Sequence, residues 1–128
     1  MKDLNEFIKE FGSEDDFKAN AFYDKHLDCI RVRTRDCSVI EERLSHIFTM
    51  LKSAHSGQDN FVGFTIKGVR HLFEELGMDP KGVFRLTDII NAIVGKYPDQ
   101  VVKEVREAFV SVEGYKEIEV ELKELATA

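Results

Sequence analysis

Three arginines at alternate positions of one short stretch are the residues of this chain whose type and spacing could do chemistry. They are Arg31, Arg33 and Arg35. On a β-strand, alternate residues project from one face about 6.5–7 Å apart. Each guanidinium offers forked donors that match a phosphate or a carboxylate. The spacing therefore predicts a binding site for an anionic ligand, which Lys67, Arg70 and His71 would join if a strand over 61–67 lay beside the arginines.

The same row of arginines also has a purely structural interpretation. On a solvated strand face, the arginines would form cross-strand ion pairs with Glu41 and Glu42, each worth about 0.2–1 kcal/mol. The functional interpretation is a phosphate or nucleotide site, or contact with an acidic protein partner. The residues alone leave both interpretations open.

Two other clusters could imitate a metal or catalytic site. Asp24, His26 and Asp28 could share one face of a strand, but Asp24-Lys25-His26 is typical of a turn in which Asp binds its own backbone. Cys37 could pair with a histidine as a nucleophile, but no neighbouring group activates its thiol. That histidine would be His46 or His71.

No phosphate loop, nucleophile elbow, dinucleotide fingerprint or zinc signature occurs in the sequence. Gly63 and Gly68 flank a predicted strand, where glycine usually marks a bulge or close packing. We therefore predict no catalytic residue, no metal and no cofactor, and an enzyme of unknown class is the least favoured of the functional alternatives.

Size and charge restrict the class of protein. The 128 residues predict one domain, residues 1–128. The formal charge of −6 argues against general nucleic-acid binding and suits a basic protein partner. Cys29 and Cys37 are expected to be reduced thiols, with a Cys29–Cys37 disulfide as the alternative. Because no apolar run suits a secretory signal or a membrane span, we expect a cytoplasmic protein with no membrane contact.

The elements that must position the arginines are strands. Alternation predicts strands over Ala19–Tyr23, Leu27–Thr34 and Phe61–Lys67. The segment Val39–Lys52 fits either a helix or strands, and we favour a strand over 46–52 that forms a hairpin with 61–67.

Helices are predicted on either side of these strands. Leu4, Phe7, Ile8 and Phe11 form one apolar stripe, which predicts an N-terminal helix. After the strands, similar stripes predict one helix from Val69 to Gly77, one from Arg85 or Thr87 to Gly95, and one that begins at Pro98. Residues 117–122 alternate strictly and predict a closing or edge strand.

Two strand motifs resemble a widespread family of small bacterial and archaeal domains of unknown function. They are Tyr23-Asp24-x-x-x-Asp28-x-Ile30-Arg31-Val32 and Val62-Gly63-Phe64-Thr65-Ile66. Members of that family read, loosely, Tyr-Asp-x-x-x-Asp-x-Leu-Tyr-Ile and Val-Gly-Ile-Glu-Ile. The resemblance covers about 21–70 and implies a compact β-meander and, in some members, an antitoxin-like or partner role. This chain departs from the pattern at Thr65 and in the helical region that follows.

The sequence therefore predicts an α+β fold, a small antiparallel β-meander covered by an N-terminal helix and two or three C-terminal helices. The favoured function is a non-enzymatic interaction protein that neutralises or sequesters a protein partner, as antitoxins, immunity proteins and phage inhibitors do. The alternative is a protein that binds a small anion, such as a phosphate or nucleotide, through the arginine row. Surplus apolar surface on the N-terminal helix also favours a homodimer.

Overall fold

A five-stranded antiparallel sheet forms the first half of the fold. The computed structural model describes residues 18–35, 37–54, 61–112 and 114–122. The strands of the sheet are β1 (Asn20–Asp24), β2 (Cys29–Arg33), β3 (Val39–Arg43), β4 (Phe48–Ser53) and β5 (Phe61–Lys67). They pair in the order β1-β2-β5-β4-β3. The chain therefore does not follow a simple meander, because β5 pairs between β2 and β4.

Three helices and a small second sheet complete the described fold. The helices are α1 (Val69–Leu76), α2 (Leu86–Lys96) and α3 (Gln100–Val110), followed by a 3₁₀ turn at Tyr115–Glu117. Strands β6 (Gly82–Arg85) and β7 (Glu119–Leu122) pair as a two-stranded antiparallel sheet. The α+β prediction is confirmed. The predicted N-terminal helix lies outside the described residues.

One face of the five-stranded sheet packs against the helices. Ile30, Val32, Phe64 and Ile66 are fully buried on this face, which we call the apolar face. They form one cluster with apolar side chains of all three helices. The helical members of the cluster are Val69, Leu72, Phe73, Leu86, Ile89, Ile90, Ile93, Val102, Val105 and Phe109. These are largely the residues whose helical spacing predicted buried stripes.

The strand favoured over 46–52 is confirmed as β4 (Phe48–Ser53), and the helical alternative for Val39–Lys52 is wrong, since Val39–Arg43 forms a strand as well. Ser45 stabilises a turn in this segment, because its hydroxyl accepts hydrogen bonds at 3.1 Å from the backbone N–H groups of both Ile47 and Phe48. The Leu44 N–H also donates to the Phe48 carbonyl at 3.0 Å. These bonds close a tight turn between β3 and β4 where a continuous helix would have run.

Gly63 allows β5 to approach β2 closely. Its φ is 151°, and a Cβ at this position would lie 2.0 Å from the Val32 carbonyl oxygen. The pairing of β4 with β5 shifts register beside it, between Leu51 and Lys52. The expectation that this strand glycine marks a bulge and close packing is confirmed.

Candidate functional site

The second face of the sheet, opposite the helices, carries the predicted arginines. In antiparallel pairs, residues directly opposite each other point to the same face. Arg31 lies opposite Thr65, which lies opposite Thr49 on β4. Cys29 lies opposite Lys67. We call this surface the polar face, since Arg31, Arg33, Thr49, Thr65 and Lys67 lie on it, whereas Ile30, Val32, Phe64 and Ile66 lie on the other face.

A small cavity opens on the polar face. Its volume is about 180 Å³, and Arg31 and Lys67 supply its positive charges. The remaining lining residues are Leu27, Cys29, Glu41, Thr49 and Thr65. Two threonine hydroxyls, which can donate or accept hydrogen bonds, therefore line the same cavity as the two cations. Glu41 contributes one opposing charge.

The guanidinium groups of Arg31 and Arg33 are only partly satisfied. Both Nε atoms are buried and find no acceptor among the residues that the structure describes. One Nη atom of Arg33 donates to the Cys37 carbonyl oxygen at 2.7 Å. A buried N–H without an acceptor is unfavourable, and more so when the group is charged.

Lys67 lies in a setting that disfavours its charged form. Burial lowers the pKa of its ammonium group, and the nearby positive charge of Arg43 lowers it further. The polar face thus concentrates positive charge on a chain whose formal charge is −6.

Cys29 is an inert part of the cavity wall. Its side chain is 4% exposed, and burial raises the pKa of the thiol, although a hydrogen bond with Arg31 opposes the shift. A thiol held in its protonated form is a poor nucleophile. Cys29 and Cys37 are both free, so the alternative of a Cys29–Cys37 disulfide is wrong.

Of the predicted site residues only Arg31 and Lys67 line the cavity, and Arg33 lies on the polar face outside it. Arg35 follows the end of β2 and is exposed. Arg70 is exposed on α1. The Nε2 atom of His71 lies 2.8 Å from the Glu75 carboxylate one turn along α1. His71 lines a neighbouring cavity of about 160 Å³ together with His46, and Lys67 borders both cavities.

The Tyr-Asp motif forms a turn and a helix cap. One Asp24 carboxylate oxygen accepts from the N–H groups of His26, at 2.9 Å, and Leu27, at 3.1 Å. Asp28 has a positive φ of 51°, and its carboxylate accepts from the Tyr23 hydroxyl at 2.7 Å.

The same Asp28 carboxylate reaches the first turn of α1. It accepts from the Arg70 N–H at 3.2 Å and so replaces the cap that Gly68, at the N-cap position, cannot supply. Burial, followed by the hydrogen bond to Asp28, raises the pKa of Tyr23. No group of three potential metal ligands occurs within the described ranges.

The predicted ion pairs between the arginine row and Glu41 or Glu42 would require β3 to lie beside β2, and β3 does not lie there. β3 pairs with β4 and is separated from β2 by two strands. Glu42 instead forms an ion pair with Lys52 of β4. Glu41 borders the cavity from the far side. Thr49 and Thr65 were missed as site residues because their positions near Arg31 depend on the β2–β5 and β4–β5 registers.

Comparison with protein-family models, with curated proteins and with solved structures found no match to this chain. In the described part of the chain, none of the helices has the length and apolar character needed to cross a membrane.

Proposed function

We propose that this protein is a non-enzymatic binding protein whose polar face takes an anionic group of its target. The observation that carries the proposal is the pair of buried Nε atoms on Arg31 and Arg33, which lack acceptors in the described part of the chain. Removing a cation from water without an opposing charge is costly. A phosphate or carboxylate placed on this face would offset that cost.

The size of the cavity limits what can enter it. Its volume of about 180 Å³ is below the roughly 300–1,000 Å³ of pockets that enclose a complete small molecule. A single phosphate or carboxylate group suits this space better than a whole nucleotide. This supports a target that presents its anionic group from outside.

Exposed apolar side chains beside the cavity favour a protein as that target. Phe22, which lies opposite Arg31 on β1, is 49% exposed, and Leu27 in the cavity wall is 63% exposed. Aromatic and arginine side chains are enriched in protein interfaces. The protein would then act by sequestering a partner whose acidic side chain enters the cavity.

Titrations followed by NMR test this proposal. The probes are inorganic phosphate, a peptide that carries glutamate and leucine, and the same peptide with glutamine for glutamate. We expect the glutamate peptide to bind and to shift the resonances of Thr49 and Thr65. The glutamine peptide should bind at least about tenfold more weakly, because it cannot form charge-assisted hydrogen bonds.

Substitutions test whether binding takes place on the polar face, and whether the anion that binds is a peptide carboxylate or free phosphate. Arg31→Met should reduce affinity for the glutamate peptide about tenfold, whereas Arg70→Gln, an exposed arginine away from the cavity, should not. Phe22→Ser should weaken the peptide but leave phosphate binding unchanged. Equal binding of both peptides, or equal effects of Arg31→Met and Arg70→Gln, would refute the proposal. Binding of phosphate alone would support the small-anion alternative.

A further inference from the structure

A second cluster of cations lies on the helical side of the molecule. Arg85 ends β6 directly before α2, Arg106 lies on α3, and Lys116 lies in the 3₁₀ turn. All three line one groove of about 260 Å³ between these elements. The polar face is on the opposite side of the five-stranded sheet, so the groove is a separate feature.

The groove is positively charged although the chain is acidic. The chain has 24 acidic and 18 basic side chains, yet three of the groove's lining residues are basic and none is acidic. Glu119 is the register partner of Arg85 across β6 and β7. Even so, no ion pair engages Arg85, Arg106 or Lys116 within the described ranges.

The floor of the groove is apolar and aromatic. Ile90 and Phe109 are buried beneath it, and Val110 at its edge is 43% exposed. The Phe109 and Tyr115 rings meet edge to face, with centroids 5.5 Å apart. The Lys116 ammonium lies 6.0 Å from the centroid of the Tyr115 ring. An apolar surface therefore adjoins the three cations.

We propose that this groove binds an organic anion, a phosphate monoester or carboxylate joined to an aromatic or aliphatic body. Arg85, Arg106 and Lys116 contact the anionic group, for which arginine offers paired donors. The apolar body lies against Phe109 and Tyr115, where it loses contact with water. Thr87 and Asn91, which also line the groove, supply neutral hydrogen-bonding groups.

The probe that tests this site is phenyl phosphate, with inorganic phosphate and phenol as its anionic and apolar halves. Titration of isotope-labelled protein should shift the resonances of Phe109 and Tyr115. We expect phenyl phosphate to bind at least about tenfold more tightly than either half, since each half makes only one kind of contact. If either half binds as tightly as phenyl phosphate, the proposal is wrong.

Charge-neutralising variants locate the site. Arg106→Gln and Lys116→Gln should each weaken phenyl phosphate about tenfold, whereas Lys96→Gln, at the exposed end of α2 outside the groove, should leave affinity unchanged. Urea unfolding establishes that each variant is folded. In Arg31→Met, phenyl phosphate should still shift the resonances of Phe109 and Tyr115 as it does in wild type, and loss of these shifts would overturn the inference. Equal affinities of Arg106→Gln and Lys96→Gln would overturn it as well.

Discussion

The same strands form both faces of the five-stranded sheet, but the residues of the two faces lie in different environments. On the apolar face, Val32 and Phe64 lie opposite each other and are fully buried against the helices. On the polar face, the next pair is Arg31 and Thr65, which borders an open cavity. Two neighbouring residues of β2 therefore have different roles. Val32 is buried and stabilises the fold, whereas Arg31 places a positive charge at the cavity.

This difference separates the residues that stabilise the fold from those that we propose bind a target. Burial of the apolar face supplies the hydrophobic free energy of folding. The polar face holds two arginines and a lysine in conditions that disfavour unpaired charge. We infer that substitutions on the apolar face reduce stability, whereas those on the polar face reduce binding.

Gly63 lets β5 lie close to β2, and both faces of the sheet depend on this contact. Its substitution should therefore have the largest effect on stability. Gly63→Ala places a Cβ about 2.0 Å from the Val32 carbonyl. We expect a loss of about 5 kcal/mol in the free energy of unfolding, comparable to the whole stability of a small domain. Urea denaturation or, for an insoluble variant, expression level measures this.

Gly95→Ala is the matched control for Gly63→Ala. Gly95 lies within α2, and beyond its chain neighbours and the helix's own backbone no atom would come within 4 Å of an added Cβ. Alanine is the better helix former, so this variant should gain about 0.5–1 kcal/mol. Equal stabilities of the two variants would show that β5 does not need its close approach to β2.

A pair of adjacent substitutions on β5 compares the two faces directly. Phe64→Ala removes a fully buried ring that meets Phe48 and Phe109 edge to face, and should cost about 3–5 kcal/mol. Thr65→Ala, on the polar face, should cost about 1 kcal/mol or less. Denaturation midpoints in urea give both values, and a larger loss for Thr65→Ala would reverse the roles of the faces.

Asp28 should have an intermediate effect, because it joins the β1–β2 turn to α1. Asp28→Ala removes the acceptor for Tyr23 and for the Arg70 N–H, and alanine tolerates a positive φ poorly. We expect a loss of about 2 kcal/mol. Asp28→Asn keeps an acceptor and tolerates this backbone conformation, so it should lose less. Thermal unfolding of both variants tests the order.

Tyr23 should give a small effect at alkaline pH. Its pKa is raised in the folded protein, so above about pH 10 the unfolded tyrosine loses its proton before the folded one does. The stabilising contribution is therefore complete below that pH and declines above it. The stability of the wild type should fall more steeply from about pH 9.5 to 11 than that of Tyr23→Phe, and parallel curves would contradict this assignment.

Much of the fold is predictable because its signal is periodic. The alternation of Cys29–Arg33 predicted both β2 and its two faces, and the helical stripe of Leu86–Ile93 predicted α2. β3 was not predicted as a separate strand, because Glu41-Glu42-Arg43 carries no apolar alternation on this exposed edge. β6 has four residues, too few to show a period.

The site was predicted in part for a similar reason. Arg31, Arg33 and Lys67 follow from strand alternation and the β2–β5 pairing, which the sequence suggested. Arg70 and His71 follow Lys67 closely in sequence but do not line the cavity beside Arg31, because Gly68 adopts a left-handed conformation that starts α1 in a new direction. The prediction from proximity in sequence therefore included Arg70 and His71, which do not line the cavity.

The most direct test of the account measures the stability and the binding of Arg31→Met together. Methionine retains much of the apolar volume of arginine without its charge. We predict a free energy of unfolding within about 1 kcal/mol of wild type and an affinity for the glutamate peptide reduced about tenfold. A variant that loses several kcal/mol of stability, while the peptide binds as tightly as it does to wild type, would contradict the claim that the polar face serves binding.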